Sequence, residues 1–385
     1  MSALGRPADV PPWVSIALIP LVNLVLAFVA AGLVVLLIYW GQYADGTLPG
    51  ADYLYTPVRA AELLLKGAFG TVPNLSRTLY YTTDFIFAGL AVAVAFHAGL
   101  FNIGAEGQAY FAGLGVALVC LYLDFLPFIL LLPLAIIAAA LFGAAWAFIP
   151  AYLQAKRGSH IVITTIMFNW LASVLIVYLL VNVLREPTSM NPETRSFPPQ
   201  SRIPFMHEAL AVFGIEIPPS QLNLTLLLAL AAAYGVWLLI YRSRLGYAIR
   251  VVGSNPVAAV YAGISPARII IIAMILSGAL AGGLAVNELM GYQHRLLLEF
   301  ASGYGFVGIA VALMGRAHPV GIILASLLFG ILYQGGAELA FEQPAITRDM
   351  VVVIGGIIIL FAGALDGLFR RLVARALVRP RLARA

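Results

Sequence analysis

Residues 84–124 read "DFIFAGLAVAVAFHAGLFNIGAEGQAYFAGLGVALVCLYLD", and this stretch decides the fold. Between its two end aspartates lie 39 residues holding one carboxylate, Glu106, with the amides Asn102 and Gln108 beside it. At ~1.5 Å per residue these make about 58 Å of helix, or two crossings of a ~30 Å hydrocarbon layer. The midpoint is Gly104, so the spacing predicts two spans joined at "FNIGAEGQ". Two readings of the carboxylate remain open. If the junction is a turn at the membrane edge, Glu106 opens the second span, where the helix dipole favours negative charge. If the spans are offset or re-entrant, the junction is a broken element at a cavity, with Asn102 and Gln108 facing solute.

The rest of the chain has the same character. Of 385 residues, 62% are hydrophobic and 10% charged, against ~25% charge in an ordinary soluble domain. The composition predicts an all-α polytopic membrane bundle, one domain over residues 1–385. Apolar runs and their polar breaks give about ten transmembrane helices: 14–40, 82–101, 105–123, 125–149, 161–184, 222–241, 269–289, 303–314, 320–336 and 349–365. The uncharged tract 10–43 exceeds the ~7–15 residue core of a cleavable signal and reads as a retained first span. The long segments 41–81 and 185–221 fall on the outer side.

Placing both termini in the cytoplasm puts 14 of the 22 basic residues on the inner side. They lie in the N-terminus 1–13, in the loop 242–268, in the tail 366–385, and at Lys156, Arg157 and Arg316. Only Asp9, Glu106 and Asp366 of the 17 acids join them. That asymmetry follows the positive-inside rule. It also accounts for the net charge of +5 without nucleic acid, since the basic residues flank spans and have no interleaved aromatics.

Several chemistries are excluded. A Walker A loop needs lysine directly after glycine; the two lysines, Lys66 and Lys156, follow Leu65 and Ala155. The five histidines lack the paired spacing that sets two imidazoles on one helix face for a metal. Cys120 stands alone in an apolar run, which excludes a disulfide framework. No Gly-x-Ser-x-Gly elbow occurs. The expectation is a non-enzymatic chain with no metal.

The inner loop carries "GYAIRVVGSNPVAAVYAGI", residues 246–264. Asn255 suits an N-cap, Pro256 the first helical position and Gly263 a left-handed C-cap. A helix of about two turns over 256–262 is too short to span. It would lie on the cytoplasmic face and present Val257, Val260 and Tyr261 to a partner. The pattern resembles the coupling loop of permease subunits of ATP-binding cassette (ABC) importers, in the branch handling simple sugars and nucleosides. "FNIGAEGQ" is similar to that branch's signature, and "GYGFVGIAVALMGRAHPVGI", residues 303–322, to its late-span motif. The likeness runs over roughly 70–365. Departures fall at Ile161 and Val307, where many relatives carry a glutamate and an aspartate.

The resemblance implies a bacterial inner-membrane subunit without its own energy source. ATP and Mg²⁺ would sit on cytoplasmic ABC ATPase subunits docked through Gly253, Asn255, Pro256, Val257, Val260, Tyr261 and Gly263. A second permease, different or identical, and an extracytoplasmic solute-binding protein would complete the importer. A solute pathway should then be lined by polar and aromatic residues that spans otherwise avoid. The candidates are Phe101, Asn102, Glu106, Gln108, Thr164, Thr165, Asn169, Trp170, Asn287, Glu288, Tyr304 and Phe306. Helix-to-helix hydrogen bonding is the competing role for the polar ones. An ion-coupled carrier or channel is the rival function, and it would want charged relays within the spans.

Overall fold

A computed structural model describes residues 19–343 and, beyond them, 346–347, 350–351, 353–354 and 356–357. The expected N-terminal segment 1–13, the tail 366–385 and most of the span 349–365 lie outside the described residues. Among these residues the chain is helical with no strand. In order run α1 (Ile19–Ala44), α2 (Gly50–Phe69), α3 (Val72–His97), α4 (Ala105–Tyr122), α5 (Phe128–Arg157) and α6 (Ile161–Asn182). A short α7 (Met206–Ala211) precedes α8 (Thr225–Trp237), which ends in a π turn, Leu238–Arg242. Then come α9 (Arg244–Ser254), α10 (Pro256–Tyr261), α11 (Pro266–Ala285) with its π extension Val286–Gln293, α12 (Tyr304–Met314) and α13 (Pro319–Glu342). Six of the described helices are long and apolar enough to cross a membrane: α3, α5, α6, α8, α11 and α13, with the π extensions of α8 and α11 included. The protein is a polytopic helical membrane protein.

The largest departure from the sequence reading is α3. It starts at Val72, ten residues before the expected 82, and takes "VPNLSRTLYY" from a segment read as outer loop. Thr71 caps it by accepting from the Asn74 amide at 3.2 Å. The polar residues that concealed this helix are satisfied inside it. Thr82 and Thr83 donate their hydroxyls to the carbonyls of Thr78 (2.7 Å) and Leu79 (2.9 Å), so neither needs water. Asp84, taken as a span boundary, is therefore the thirteenth residue of a 26-residue helix.

The chain divides into two compact units, Met1–Ala68 with Gln334–Ala385, and Phe69–Tyr333. In the first, Tyr53 of α2 donates to the Leu36 carbonyl of α1 at 2.9 Å and stacks on Tyr43. In the second, α5 and α11 pack with almost nothing between their backbones. A methyl group on Gly278 would overlap the Gly143 carbonyl, and one on Gly282 would lie 2.7 Å from the Ala139 carbonyl oxygen. Small residues at such crossings permit close packing where lipid removes the hydrophobic drive between helices. The segment 185–221 docks on the end of the α11 extension. Ile203 N–H donates to Met290 O (2.9 Å), Thr194 N–H to Leu296 O (3.1 Å), and Arg295 pairs with Glu193 at 3.0 Å.

Candidate functional site

The "FNIGAEGQ" segment does not run along the end of α3; it climbs back into the unit. Asn102 donates to the Ser277 hydroxyl at 2.9 Å, and Ser277 donates to the Ala91 carbonyl at 2.6 Å. Ala91 lies six residues before His97, about 9 Å up the helix from its end. Asn102 thus stands that far inside, and the stretch 98–104 is a re-entrant connection into α4. A buried irregular backbone must satisfy its own polar groups, and it does so with the residues that stood out in the sequence. Asn102 Oδ1 accepts from Gly104 N–H (2.8 Å) and from Gln108 (3.4 Å). Asn169 on α6 accepts from Gly107 N–H (2.9 Å) and donates to Ile103 O (2.8 Å), and Thr165, one turn earlier, accepts from Ile103 N–H at 3.4 Å. Asn102, Gln108, Thr165 and Asn169 form one buried clasp.

Glu106 joins this loop to the late-span motif. Its two carboxylate oxygens accept from Gly303 N–H (2.9 Å) and Gly305 N–H (2.8 Å), the first free amides of α12. Two helix N-termini, of α4 and α12, therefore meet in the interior, each carrying roughly half a positive charge, with one carboxylate between them. The glycines of "GYGFVGI" follow from this junction. Gly303 takes φ 81° as the cap residue, a left-handed value that favours glycine. A methyl on Gly305 would overlap the Glu106 backbone, and one on Gly308 would lie 2.6 Å from Ala88. With eleven residues, α12 is about 16 Å long, half a hydrocarbon core.

A second polar cluster lies beside α12. Asn287 on the π extension donates to Asp84 at 2.9 Å and accepts from Asn223 at 3.0 Å. Its neighbour Glu288 accepts from Tyr80 and, at 2.9 Å, from Gln293. All of Asp84, Asn223, Asn287 and Glu288 are buried. Beside them Tyr304 packs edge-on against Phe85, Tyr81 and Tyr333, at centroid distances of 5.6, 6.1 and 6.0 Å. Tyr81 and Tyr333 are only half-buried, so the cluster has a surface. The arrangement offers hydroxyls, amides and carboxylates next to aromatic edges, which is chemistry for holding a polar ring, with no nucleophile paired to a base.

The remaining sequence candidates are dispersed. Trp170 is 73% exposed, and Phe306 and Phe101 are exposed at 45% and 39%. Thr164 is half-buried and returns its hydroxyl to His160 and Ile161 of its own helix turn. Sequence reasoning passed over Tyr80, Tyr81, Asp84, Asn223, Ser277, Gln293 and Tyr333. A carboxylate three residues after Tyr81, in phase for one helical face, was the available signal at Asp84. Asn223 and Ser277 gave none, because their role depends on partners more than 60 residues away.

At the other end of α8, Ser243 caps α9 by accepting from Gly246 N–H at 3.0 Å. Asn255 caps α10, accepting from Val257 (3.0 Å) and Ala258 (3.1 Å). Gly263 follows with φ 74°. Val257, Val260 and Tyr261 are 67%, 60% and 90% exposed, while Ala259 is buried, so α10 shows an apolar face to the outside. Gly253 abuts the end of α3: a methyl there would overlap the His97 carbonyl, and one on Gly99 would lie 3.3 Å from the Gly253 Cα. This bare-backbone contact leads from α9 and α10 to the re-entrant loop.

The family model described as branched-chain amino acid transport system / permease component matches residues 74–363. The chain is 35% identical over 351 residues to the guanosine ABC transporter permease protein NupP of Bacillus subtilis, covering 90% of this chain and 93% of that one. It is 36% identical over 308 residues to the glucose ABC transporter permease protein TsgB13 of Haloferax volcanii, covering 79% and 80%. It is 32% identical over 350 residues to the nucleoside ABC transporter permease protein NupB of Lactococcus lactis, covering 89% and 90%. With its all-helical spans, its re-entrant "FNIGAEGQ" loop and its exposed α10, the chain belongs to the permease subunits of ABC transporters, in the branched-chain amino acid transport system permease family.

Proposed function

We propose that this permease imports a nucleoside across the bacterial inner membrane by alternating access, with ten crossings and both termini in the cytoplasm. The observation that carries the reading is the 35% identity with a guanosine permease over 90% of the chain. Nucleosides present a flat base and a hydroxylated sugar, and the aromatic edges beside Asp84, Asn287 and Glu288 suit both parts. A simple sugar is the second reading, favoured by the 36% identity with a glucose permease. Uptake competition with a panel of nucleosides and sugars tests the choice; inhibition by glucose but by no nucleoside overturns the first reading.

The energy comes from outside the chain. ATP and Mg²⁺ reside on cytoplasmic ATPases, which grip α10 through Val257, Val260 and Tyr261. When they close, α9 and α10 move as one capped pair, and the Gly253–Gly99 contact carries the displacement to the re-entrant loop. The Asn102 clasp and the Glu106 junction then shift α4 and α12 together, since the N-termini of the two helices are joined through the Glu106 carboxylate. A second permease subunit faces the exposed Phe101, Trp170 and Phe306, and the solute path runs where the two meet. Thr164, Asn287, Glu288 and Tyr304 belong to that path, while Asn102, Glu106, Gln108, Thr165 and Asn169 shape it. An extracytoplasmic binding protein delivers the solute.

A further inference from the structure

We propose that the unit formed by Met1–Ala68 and Gln334–Ala385 holds an anionic phospholipid. Within it α1, α2, Leu339 and Ile354 line a cavity of about 580 Å³. That is within the ~300–1,000 Å³ of small-molecule sites. The wall, which includes Val35, Leu36, Ala61 and Leu64, is apolar throughout. A polar recess formed by Tyr39, Thr56, Arg59 and Gln343 adjoins it and shares Ala60.

The order of these residues along the helices gives the site its direction. On α1 the apolar wall takes residues up to Leu36 and the recess begins one turn later, at Tyr39. At the other wall Leu339 lines the cavity and Gln343, one turn on, lines the recess; Tyr39 donates to it at 2.7 Å. Helix α1 ends a few residues beyond Tyr39, at Ala44, and α13 ends at Glu342, directly before Gln343. The polar part therefore sits at the ends of the helices, where headgroups lie, and the apolar part lies deeper, where acyl chains lie. A water-soluble ligand would find no hydrogen-bond partner along the wall.

Arg59 selects the headgroup. It is exposed, lines the recess and forms no ion pair among the described residues. A guanidinium takes a phosphate through paired N–H donors, and a net negative headgroup gains over a zwitterionic one, whose own cation competes.

The test uses the full-length permease, stripped of lipid in detergent and returned to nanodiscs of phosphatidylglycerol or phosphatidylcholine. Tightly held lipid is then counted by mass spectrometry after re-extraction. Wild type should retain about one phosphatidylglycerol per chain in preference to phosphatidylcholine. Arg59→Gln should lower that retention about tenfold and remove the preference, as expected for one lost charge-assisted contact. Ala61→Phe, which fills the groove, should lower retention of both. Where Ala61→Phe does not fold, Leu36→Phe fills the same wall from α1. Equal retention in wild type and Arg59→Gln overturns the proposal. So does unchanged retention with the groove filled, or a wild type that keeps no lipid, which would assign the groove to another protein segment.

Discussion

Replacing Glu106 with glutamine separates a structural anchor from a solute contact. The carboxylate accepts from Gly303 N–H and Gly305 N–H, at 2.9 and 2.8 Å, at a buried junction. A hydrogen bond to a charged group contributes ~1.5–3 kcal/mol, and a charge at a helix N-terminus ~0.3–1 kcal/mol, rising to about 2 when partly buried. Glutamine keeps one acceptor and turns an N–H₂ toward the second glycine amide, so one bond is lost and two donors oppose each other. The expected cost is about 2–4 kcal/mol. Glu106→Ala, which leaves both amides unsatisfied, should cost about 3–5 kcal/mol. Thermal unfolding of the purified permease reads the stability, and concentration-dependent uptake in proteoliposomes reads the apparent affinity. Glu106→Gln should lower the melting temperature, with solute KM within about twofold of wild type. A variant that melts like wild type and loses solute affinity would refute the anchor role.

Other consequences follow from the same geometry. Asn255→Ala removes the acceptor for the Val257 and Ala258 amides and should cost α10 about 1 kcal/mol, seen as weaker co-purification of the ATPase with little change in the melting of the spans. Gly253→Ala drives a methyl into the His97 carbonyl and should lower solute-stimulated ATP hydrolysis at least tenfold while ATPase binding persists; full stimulation would remove the Gly253–Gly99 contact from the coupling route. Burial, with Arg202 nearby, holds the His294 imidazole below its ordinary value, so its folded state favours the neutral ring. Stability is then complete above the unfolded value of about 6.5 and falls as pH drops below it. His294→Asn, which tolerates the left-handed backbone at φ 54°, should flatten the melting temperature between pH 7.5 and 5.5.

How much of this was legible in the sequence depends on where each residue's partner lies. The capped helix α10 was legible because Asn255, Pro256 and Gly263 set its start and end through backbone groups within a few residues of themselves. The junction at "FNIGAEGQ" was legible as a pair of readings. Helix α4 does begin beside it and Glu106 does lie in its first turn, as the edge-turn reading expects, yet the segment is re-entrant, as the other expects. What decided between them was Ser277, 175 residues away from Asn102. Hydropathy also misplaced the start of α3, because hydroxyls bonded to their own helix count as polar although they cost little in the membrane. Asp84 suffered most from this: treated as the boundary of a span, it stands in the middle of one.

The measurement that bears most directly on the account is solute uptake into proteoliposomes containing this permease, its partner permease and the ATPase, with binding protein outside. Nucleoside accumulation should require ATP and Mg²⁺, persist when proton and sodium gradients are collapsed, and be lost when Val257, Val260 and Tyr261 are together replaced by serine. Accumulation driven by an ion gradient without ATP or the ATPase would contradict ATP-driven import.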